Sequence, residues 1–487
     1  MMRSLYSGVS GLKNHQTRMD VVGNNISNVN TTGFKSSRVT FSDTLSQTLS
    51  GASAPTENRG GTNPKQIGLG SATSAIDTLF TDGSVQSTGV NTDLCLSGNG
   101  LFIVKDGNLS YYTRNGNFKF DKEGYYVNSD GLKVQGWSAT TPGDAINTNG
   151  QPSEICIPAG KTMAASATSK ATFSSNLNAA EPMIKSITIT TADGKTETIN
   201  TDGKTFKVGA PYTIGGTAST IASLTLNMTD GTNTTETEGS FTVGYSKPKT
   251  TIATVYDSLG NSHNVVIYMT KTGADNTGST WRMSLADVDT KTGASTATLK
   301  DSNGKDIKLE MTKAEVKFNV NGGYDNGFGT TKLTLTNGAV GTQTVDLDFT
   351  ALTQYAGSST AFATTDGNAA GTLKSVSIDS NGVITGTYTN GLNVQEAQVA
   401  IAQFNNASGL TKTGNSLYTE SNNSGTPNIG TISDLGCTVT PSSLEMSNVD
   451  MASELTDMIV TQRGYQSNSK IITVSDELLE TLINMKR

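Results

Sequence analysis

Three Gly-Lys-Thr triplets, two histidines, three cysteines and the pair Asp287 and Asp289 are the residues whose types and spacing could do chemistry in this chain. The triplets Gly160-Lys161-Thr162, Gly194-Lys195-Thr196 and Gly203-Lys204-Thr205 match the end of a phosphate-cradling loop, whose backbone N–H groups and lysine hold phosphates. That loop also needs a glycine five positions before its second glycine, where this chain has Ile155, Ile189 and Thr198. None of the three is a nucleotide site. With His15 and His263 as the only histidines, a His-based triad or a multi-histidine metal centre has little material. His15 stands between Asn14 and Gln16, a setting that suits a solvated or inter-subunit position better than a ligand. Asp287 and Asp289 begin like a calcium loop, yet Lys291 occupies the third ligand position. Cys95, Cys156 and Cys437 cannot all pair, and neighbours such as Leu94, Ile155 and Val439 favour buried or half-buried free thiols. The chain reads as a non-enzyme with no catalytic residue, no cofactor and no metal.

Composition narrows the class further. A chain of 487 residues can hold two to four domains, each with its own core. Its net charge of −7 provides no basic footprint for nucleic acid. The hydrophobic share of 34% is low for one compact enzyme and suits elongated β-domains with much solvated surface. No run approaches the roughly 18 to 20 apolar residues of a membrane helix. The first ten residues lack the apolar core and small-residue cleavage site of a secretory signal. On composition alone, that combination says cytoplasmic.

The elements that must position anything functional lie at the two ends and in the long middle. At the start, Leu5, Leu12, Met19 and Ile26 are seven apart, and at the end so are Met451, Met458, Tyr465, Ile472 and Leu479. This spacing keeps one stripe on one helix face and favours a left-handed supercoil. The spacing predicts helices over Arg3 to Asn28 and Asp450 to Met485. Gly8, Gly11 and Gly23 in the first, and Gly464, Asn468 and Ser469 in the second, make each marginal alone in water. Residues 1 to 30 carry three Lys/Arg against one Asp/Glu, and 450 to 487 four against six, so the ends attract weakly. Spacing alone fits either one helical hairpin on a globular body or termini that coil with each other and with further copies.

Between the ends, a connector over residues 31–70 is punctuated by Pro55, Gly60, Gly61 and Pro64, with a short helical piece expected around Phe41 to Leu49. From about Gly70 a meander begins. Apolar-rich strands at Leu94 to Leu96, Leu101 to Val104, Leu109 to Thr113, Asn117 to Phe120, Tyr125 to Asn128 and Leu132 to Trp137 alternate with turns. Those turns are Asp106-Gly107, Asn115-Gly116, Glu123-Gly124 and Asp130-Gly131, spaced as hairpins require. Trp137 and Trp281 are expected in cores.

The stretch Leu5-Tyr-Ser-Gly-Val-Ser-Gly-Leu12, followed by Asn24-Asn-Ile-Ser-Asn-Val-Asn-Thr-Thr-Gly-Phe34-Lys35, resembles the N-terminal signature of bacterial flagellar rod and hook proteins. The far end, Ser447-Asn-Val-Asp450 through Glu454-Leu-Thr-Asp-Met-Ile459 and Gln462-Arg-Gly-Tyr-Gln-Ser-Asn468, resembles the matching C-terminal signature. The residues carrying these signatures are Asn24, Asn25, Asn28, Thr32, Gly33, Phe34, Asn448, Asp450, Gln462, Arg463 and Tyr465. Gly98-Asn-Gly-Leu-Phe102, Tyr112-Thr-Arg-Asn-Gly-Asn-Phe118 and Gln398-Val-Ala-Ile-Ala-Gln-Phe404 resemble the family's inner β-domain. Ala171-Thr-Phe-Ser-Ser-Asn-Leu-Asn178 and Thr254-Val-Tyr-Asp-Ser-Leu-Gly-Asn-Ser-His263 resemble its outer-domain motifs.

The resemblance implies a mainly β, nested, multidomain fold with terminal α-helices. Residues 1–30 and 449–487 would form the helical coiled-coil domain, 71–175 with 366–448 an inner β-domain, and 176–365 one or more outer β-domains. The outer part would include an extra inserted β-domain at about 179–247. Length favours a hook subunit over a distal rod protein, and a secreted β-rich adhesin or glycan-binding module is the remoter alternative. A hook subunit polymerises into a flexible curved tube that carries torque from rod to filament. The nine residues of the two heptad stripes would then be self-assembly residues. The implied partners are further copies, the distal rod, the hook cap, the hook-filament junction proteins and the type III export apparatus. The implied location is extracellular, after export without a cleaved signal.

Overall fold

The structure is a computed structural model describing residues 2–57, 59–140, 145–288, 294–300, 306–327, 330–337 and 341–485. The chain divides into two compact units, one of Met1–Lys161 with Thr372–Arg487 and one of Thr162–Gly371. Among the described residues the fold is mostly β-strand, with one long α-helix near each end: α1 (Met2–Ser27) and α2 (Met451–Asn484). Both helices lie within one or two residues of the sequence expectation. Asp450 starts α2 by accepting the N–H groups of Ala452 at 3.0 Å and Ser453 at 3.5 Å, an N-cap that satisfies two otherwise orphaned donors.

In the first unit, Asp106-Gly107, Glu123-Gly124 and Asp130-Gly131 each join paired strands, but Asn115-Gly116 does not, because Leu109–Thr113 takes Leu417–Thr419 as its second neighbour. Strands Gly100–Asp106, Leu109–Thr113, Phe118–Phe120, Tyr126–Asn128 and Lys133–Ser138 join Gly371–Ile378, Val383–Tyr388 and Asn393–Val399 from the returning chain in one large sheet. Strands Asn393–Val399 and Ile401–Gln403 are separated at Ala400, whose N–H turns to the Gln135 carbonyl. Leu96, Phe102, Phe118, Tyr126, Val134, Ile384 and Val399 fill the core beneath it, all fully buried. Each such side chain contributes about 1.5–3 kcal/mol relative to exposure.

The helical piece expected around Phe41 to Leu49 does not form. Those residues belong to strands Ser37–Asp43 and Ser46–Ser50, which pair antiparallel with Ser71–Thr78 and Lys65–Gly68. Val39, Thr40, Phe41, Thr44 and Thr48 are β-branched or aromatic, and with partner strands available that preference wins over a weak helical pattern. Cys95 and Cys437 are buried free thiols as expected, but Cys156 is exposed. It sits between Ile155 and Ile157, which point into the core, so strand alternation turns it outward.

The second unit contains a five-stranded sheet (Lys249–Tyr256, Ser262–Asp275, Gly278–Ser284, Ala314–Asn319, Tyr324–Gly327) and a seven-stranded one. The latter includes Lys170–Asn178 and Gly341–Tyr355, which pair in parallel. Residues from both sheets, among them Phe173, Val265, Trp281, Phe318 and Phe349, share one core. Residues Ile184 to Val243 make a separate β-domain with its own sheet and its own core of Ile187, Ile189, Leu224, Leu226 and Phe241. Asp289 and Lys291 lie outside the described residues, and so do the side-chain surroundings of Asp287.

Candidate functional site: the paired helices and their buried junction

Helices α1 and α2 run antiparallel, as the order of their contacts requires: Gly11 meets Asn468, His15 meets Gly464, Arg18 meets Asp457 and Asn25 meets Glu454. The close approach depends on glycine. A Cβ at Gly464 would lie 2.6 Å from the His15 ring, and one at Gly11 would lie 2.8 Å from the Asn468 amide. Gly11 and Gly464, which weaken each helix alone, are therefore what let the pair approach so closely. The line of α2 turned toward α1 is largely polar and small. Thr461 and Ser475 are buried, Asn468 and Glu454 half-buried, and these four recur every seven residues. Glu454 accepts from the Asn25 amide at 2.9 Å, and burial raises its carboxyl pKa. Arg18 and Asp457 add an ion pair at 3.1 Å.

The other side of α1 packs on the connector. Asn14 donates to the Ser71 hydroxyl at 2.8 Å, and buried Asn25 exchanges two hydrogen bonds with the Ser37 backbone at 2.8 and 3.0 Å. Asn25 thus ties α1, the connector strand and α2 together. Below it, Asn448 accepts the Ser36 N–H at 2.8 Å and donates to the carbonyls of Leu79 at 2.9 Å and Thr81 at 3.2 Å.

Next to Asn448 lies a buried charge cluster. Lys35, Arg114 and Glu445 are each at most 1% exposed. Glu445 Oε1 accepts from Lys35 Nζ at 2.6 Å and from the Gly83 N–H at 2.8 Å, while Oε2 faces Arg114 Nη1 at 3.3 Å. Lys35 also donates to the Thr81 carbonyl at 2.7 Å, and Arg114 to the carbonyls of Leu96 at 2.7 Å and Gly98. Burial lowers the Lys35 ammonium pKa, with Glu445 opposing that shift. Gly33, at φ +66°, donates to the Glu445 carbonyl at 2.8 Å, and a Cβ there would lie 2.5 Å from the Asn115 nitrogen. Only glycine fits that position. The cluster can hold the exit of α1 and the entry of α2 against the inner sheet.

The residues picked out by spacing and signature fall into three groups. Leu5, Leu12, Met19 and Ile26 are half-buried on α1, as are Met458, Ile472 and Leu479 on α2, while Met451 and Tyr465 are exposed. Asn25, Gly33, Phe34, Asn448 and Asp450 are built into the junction. Thr32 belongs with them through the Asn115 side chain at 3.2 Å, and Asn28 donates back to the Asn24 carbonyl at 2.9 Å. Gln462 and Arg463 are exposed, with Arg463 bound to Gln466 at 3.1 Å. Sequence reasoning missed Glu445 and Asp82 and assigned no role to Lys35 or Arg114. A lone acid between Leu444 and Met446 was the available signal. Along α2, Leu455, Ile459, Val460, Ile471, Val474, Leu478, Leu482 and Ile483 are exposed.

Four family descriptions match the chain. "Flagella basal body rod protein" matches residues 5–35, "Flagellar hook protein FlgE/F/G D1 domain" 95–205, "Flagellar basal body protein FlaE D2 domain" 245–368 and "Flagellar basal body rod FlgEFG protein C-terminal" 440–485. Among similar proteins, the flagellar hook protein FlgE of Borreliella burgdorferi is 40% identical and that of Treponema pallidum 37% identical, each alignment covering 100% of both chains. The flagellar hook protein FlgE of Escherichia coli is 31% identical, with 98% of each chain covered.

Proposed function

The chain belongs to the flagellar hook protein family and is a structural subunit of the hook; from that premise we propose that it polymerises through α1 and α2 into a flexible curved tube. The observation that carries this reading is the row of exposed apolar side chains on α2. Ile459 is 59% exposed, Val460 56%, Leu478 50% and Ile483 68%, on the helix that packs against α1. Such a surface needs cover, and further copies of the same helix pair supply it by heterologous contacts that do not close. The stripes Leu5/Leu12/Met19/Ile26 and Met451/Met458/Tyr465/Ile472/Leu479 contribute to that inner layer, and the β-domains form outer layers that slide as the tube bends. The tube carries torque from the rod to the filament. In this reading the subunit performs no reaction, uses no cofactor and is exported uncleaved through the flagellar type III apparatus. Its contacts at the tube's ends are with the distal rod, the hook cap and the junction proteins.

The test is electron microscopy of the polymerised protein and of the variants Ile459→Asp and Leu478→Asp, which leave the α1 contact untouched. Curved tubes from the wild type and none from the variants, with the β-sheet circular dichroism unchanged, are expected. Normal tubes from both variants, or short straight rods from the wild type, would overturn the proposal.

A further inference from the structure

The second unit holds a cleft of about 610 Å³ between two elements of known register. One wall is the ribbon of Thr205–Lys207 and Ser240–Thr242; the other is the outer face of strands Ser262–Asp275 and Gly278–Ser284. In that register Thr270 stands opposite Arg282 and Tyr268 opposite Ser284. Strand alternation sends these four to the cleft while Met269, Trp281 and Met283 enter the core. The volume falls within the range of small-ligand sites.

Three features define what would fit. First, the described lining residues include the cationic side chains of Lys207, Lys247 and Arg282, of which Arg282 is the decisive one. Lys247 is held by Glu236 at 2.5 Å, but the Arg282 side chain makes no hydrogen bond or ion pair among the described residues. Its guanidinium stacks on Tyr245 at 5.3 Å, and its Nε is buried with no partner. Glu315, opposite Arg282 on the next strand, is bound to Lys313 at 2.9 Å. Arg282 as a whole is half-buried and lines the cleft, and a planar guanidinium matches a carboxylate best. Second, the walls carry hydroxyl side chains: Thr270 and Ser284 on the strand face, and Thr205 and Thr242, which bond each other at 2.8 Å, on the ribbon. Third, Tyr268 and Phe241 add flat apolar surface.

We propose that this cleft binds a small acidic saccharide. Its carboxylate takes the free edge of Arg282, a ring face lies on Tyr268, and its hydroxyls meet the serine and threonine side chains. A bare anion would leave the apolar wall and most of the volume unused, a neutral sugar would leave Arg282 unmatched, and an acidic peptide would not match the hydroxyl-rich walls. The site lies wholly in the second unit, so it is independent of the helix-mediated assembly proposed above.

The test uses the full-length protein, with glucuronate and N-acetylneuraminate as probes and glucose, acetate and a short poly-aspartate peptide as comparisons. Binding is read by ligand-observed NMR and calorimetry. At least one sugar acid is expected to bind with a Kd of about 1 mM or tighter, and glucose and acetate roughly tenfold more weakly. Arg282→Gln should lower sugar-acid affinity about tenfold, Arg282→Lys should restore part of it, and polymerisation should be unchanged. Tyr268→Ser, at a half-buried position, gives a second reading of the same loss should Arg282→Gln disturb the fold. The proposal fails if neither sugar acid binds at about 10 mM. It also fails if acetate or poly-aspartate binds as tightly as the sugar acids, or if affinity survives both Arg282→Gln and Tyr268→Ser.

Discussion

Replacing Glu445 by glutamine should loosen the junction much more than replacing Lys35 by methionine, although the two residues form one pair. Glu445 is the sole buried acid facing Lys35 at 2.6 Å and Arg114 at 3.3 Å. Without its charge, two fully buried cations remain, and the nearest other carboxylate, Asp82 at 3.4 Å from Arg114, is 44% exposed and screened by water. Removing one partner from a buried pair costs about 3–5 kcal/mol. Carbonyl contacts from Thr81, Leu96 and Gly98 soften the loss, so about 3 kcal/mol is expected for Glu445→Gln. Lys35→Met keeps most of the side-chain volume and leaves Glu445 with Arg114 and the Gly83 N–H. The cost should then be about 1–2 kcal/mol. The reporter is the Gly33 amide, which donates to the Glu445 backbone carbonyl and is not itself altered. Its hydrogen exchange in the full chain should accelerate roughly a hundredfold for Glu445→Gln and roughly tenfold for Lys35→Met. Equal acceleration in the two variants, or less than about threefold in either, would refute the reasoning.

Two further outcomes follow from packing and titration. Gly464→Leu should destabilise the helix pair by about 1–3 kcal/mol by driving the His15 ring aside, despite leucine's better helix propensity. Circular dichroism and amide exchange in α2 test this, and a more protected α2 would contradict it. The first unit should also lose stability in alkali. Burial raises the phenol pKa of Tyr112, Tyr126, Tyr388 and Tyr418, with hydrogen-bonded Glu420 and Glu396 adding to it at Tyr112 and Tyr388, and burial raises the Cys95 thiol to about 11. The unfolded chain releases these phenolic protons near pH 10 while the folded chain retains them. The tyrosines' stability contribution is thus complete below pH 10 and is lost above it, by about 1.4 kcal/mol per pH unit for each tyrosine. Buried Lys35 and Lys412, with lowered pKa values, work in the opposite direction only up to their ordinary value of 10.5, so the decline should steepen beyond that. A thermal midpoint constant from pH 9 to 11 would contradict this.

What the sequence made legible was local. The Asp-Gly turns located two hairpins because a two-residue hairpin imposes positive φ at fixed positions, and Gly107 and Gly131 have it, whereas Gly116 of the Asn-Gly pair does not and its flanking strands find other partners. Asp450 and the heptad spacing placed α2 to within a residue. The charge cluster was not legible, since Lys35, Arg114 and Glu445 come from three separated segments and each alone looks like an ordinary surface charge. The connector strands were missed for a related reason: a strand such as Ser37–Asp43 is defined by its partner, Ser71–Thr78, more than by its own residues. The facing of α2 was also ambiguous, because two seven-residue series run along it. One is Met451 to Leu479, and the other, Glu454, Thr461, Asn468 and Ser475, is polar and turns toward α1.

The Lys35 to Glu445 pair closes a loop of 410 residues, and Asn25 waits for Glu454 across 429. Closing so long a loop adds an entropic cost and delays the contacts that reward it. The second unit, built from one continuous stretch, has no such dependence on the chain ends. A chain delivered N-terminus first therefore has a fixed order of completion. Its middle can fold while its first helix is still unpartnered, and the junction locks only when nearly the last residues arrive.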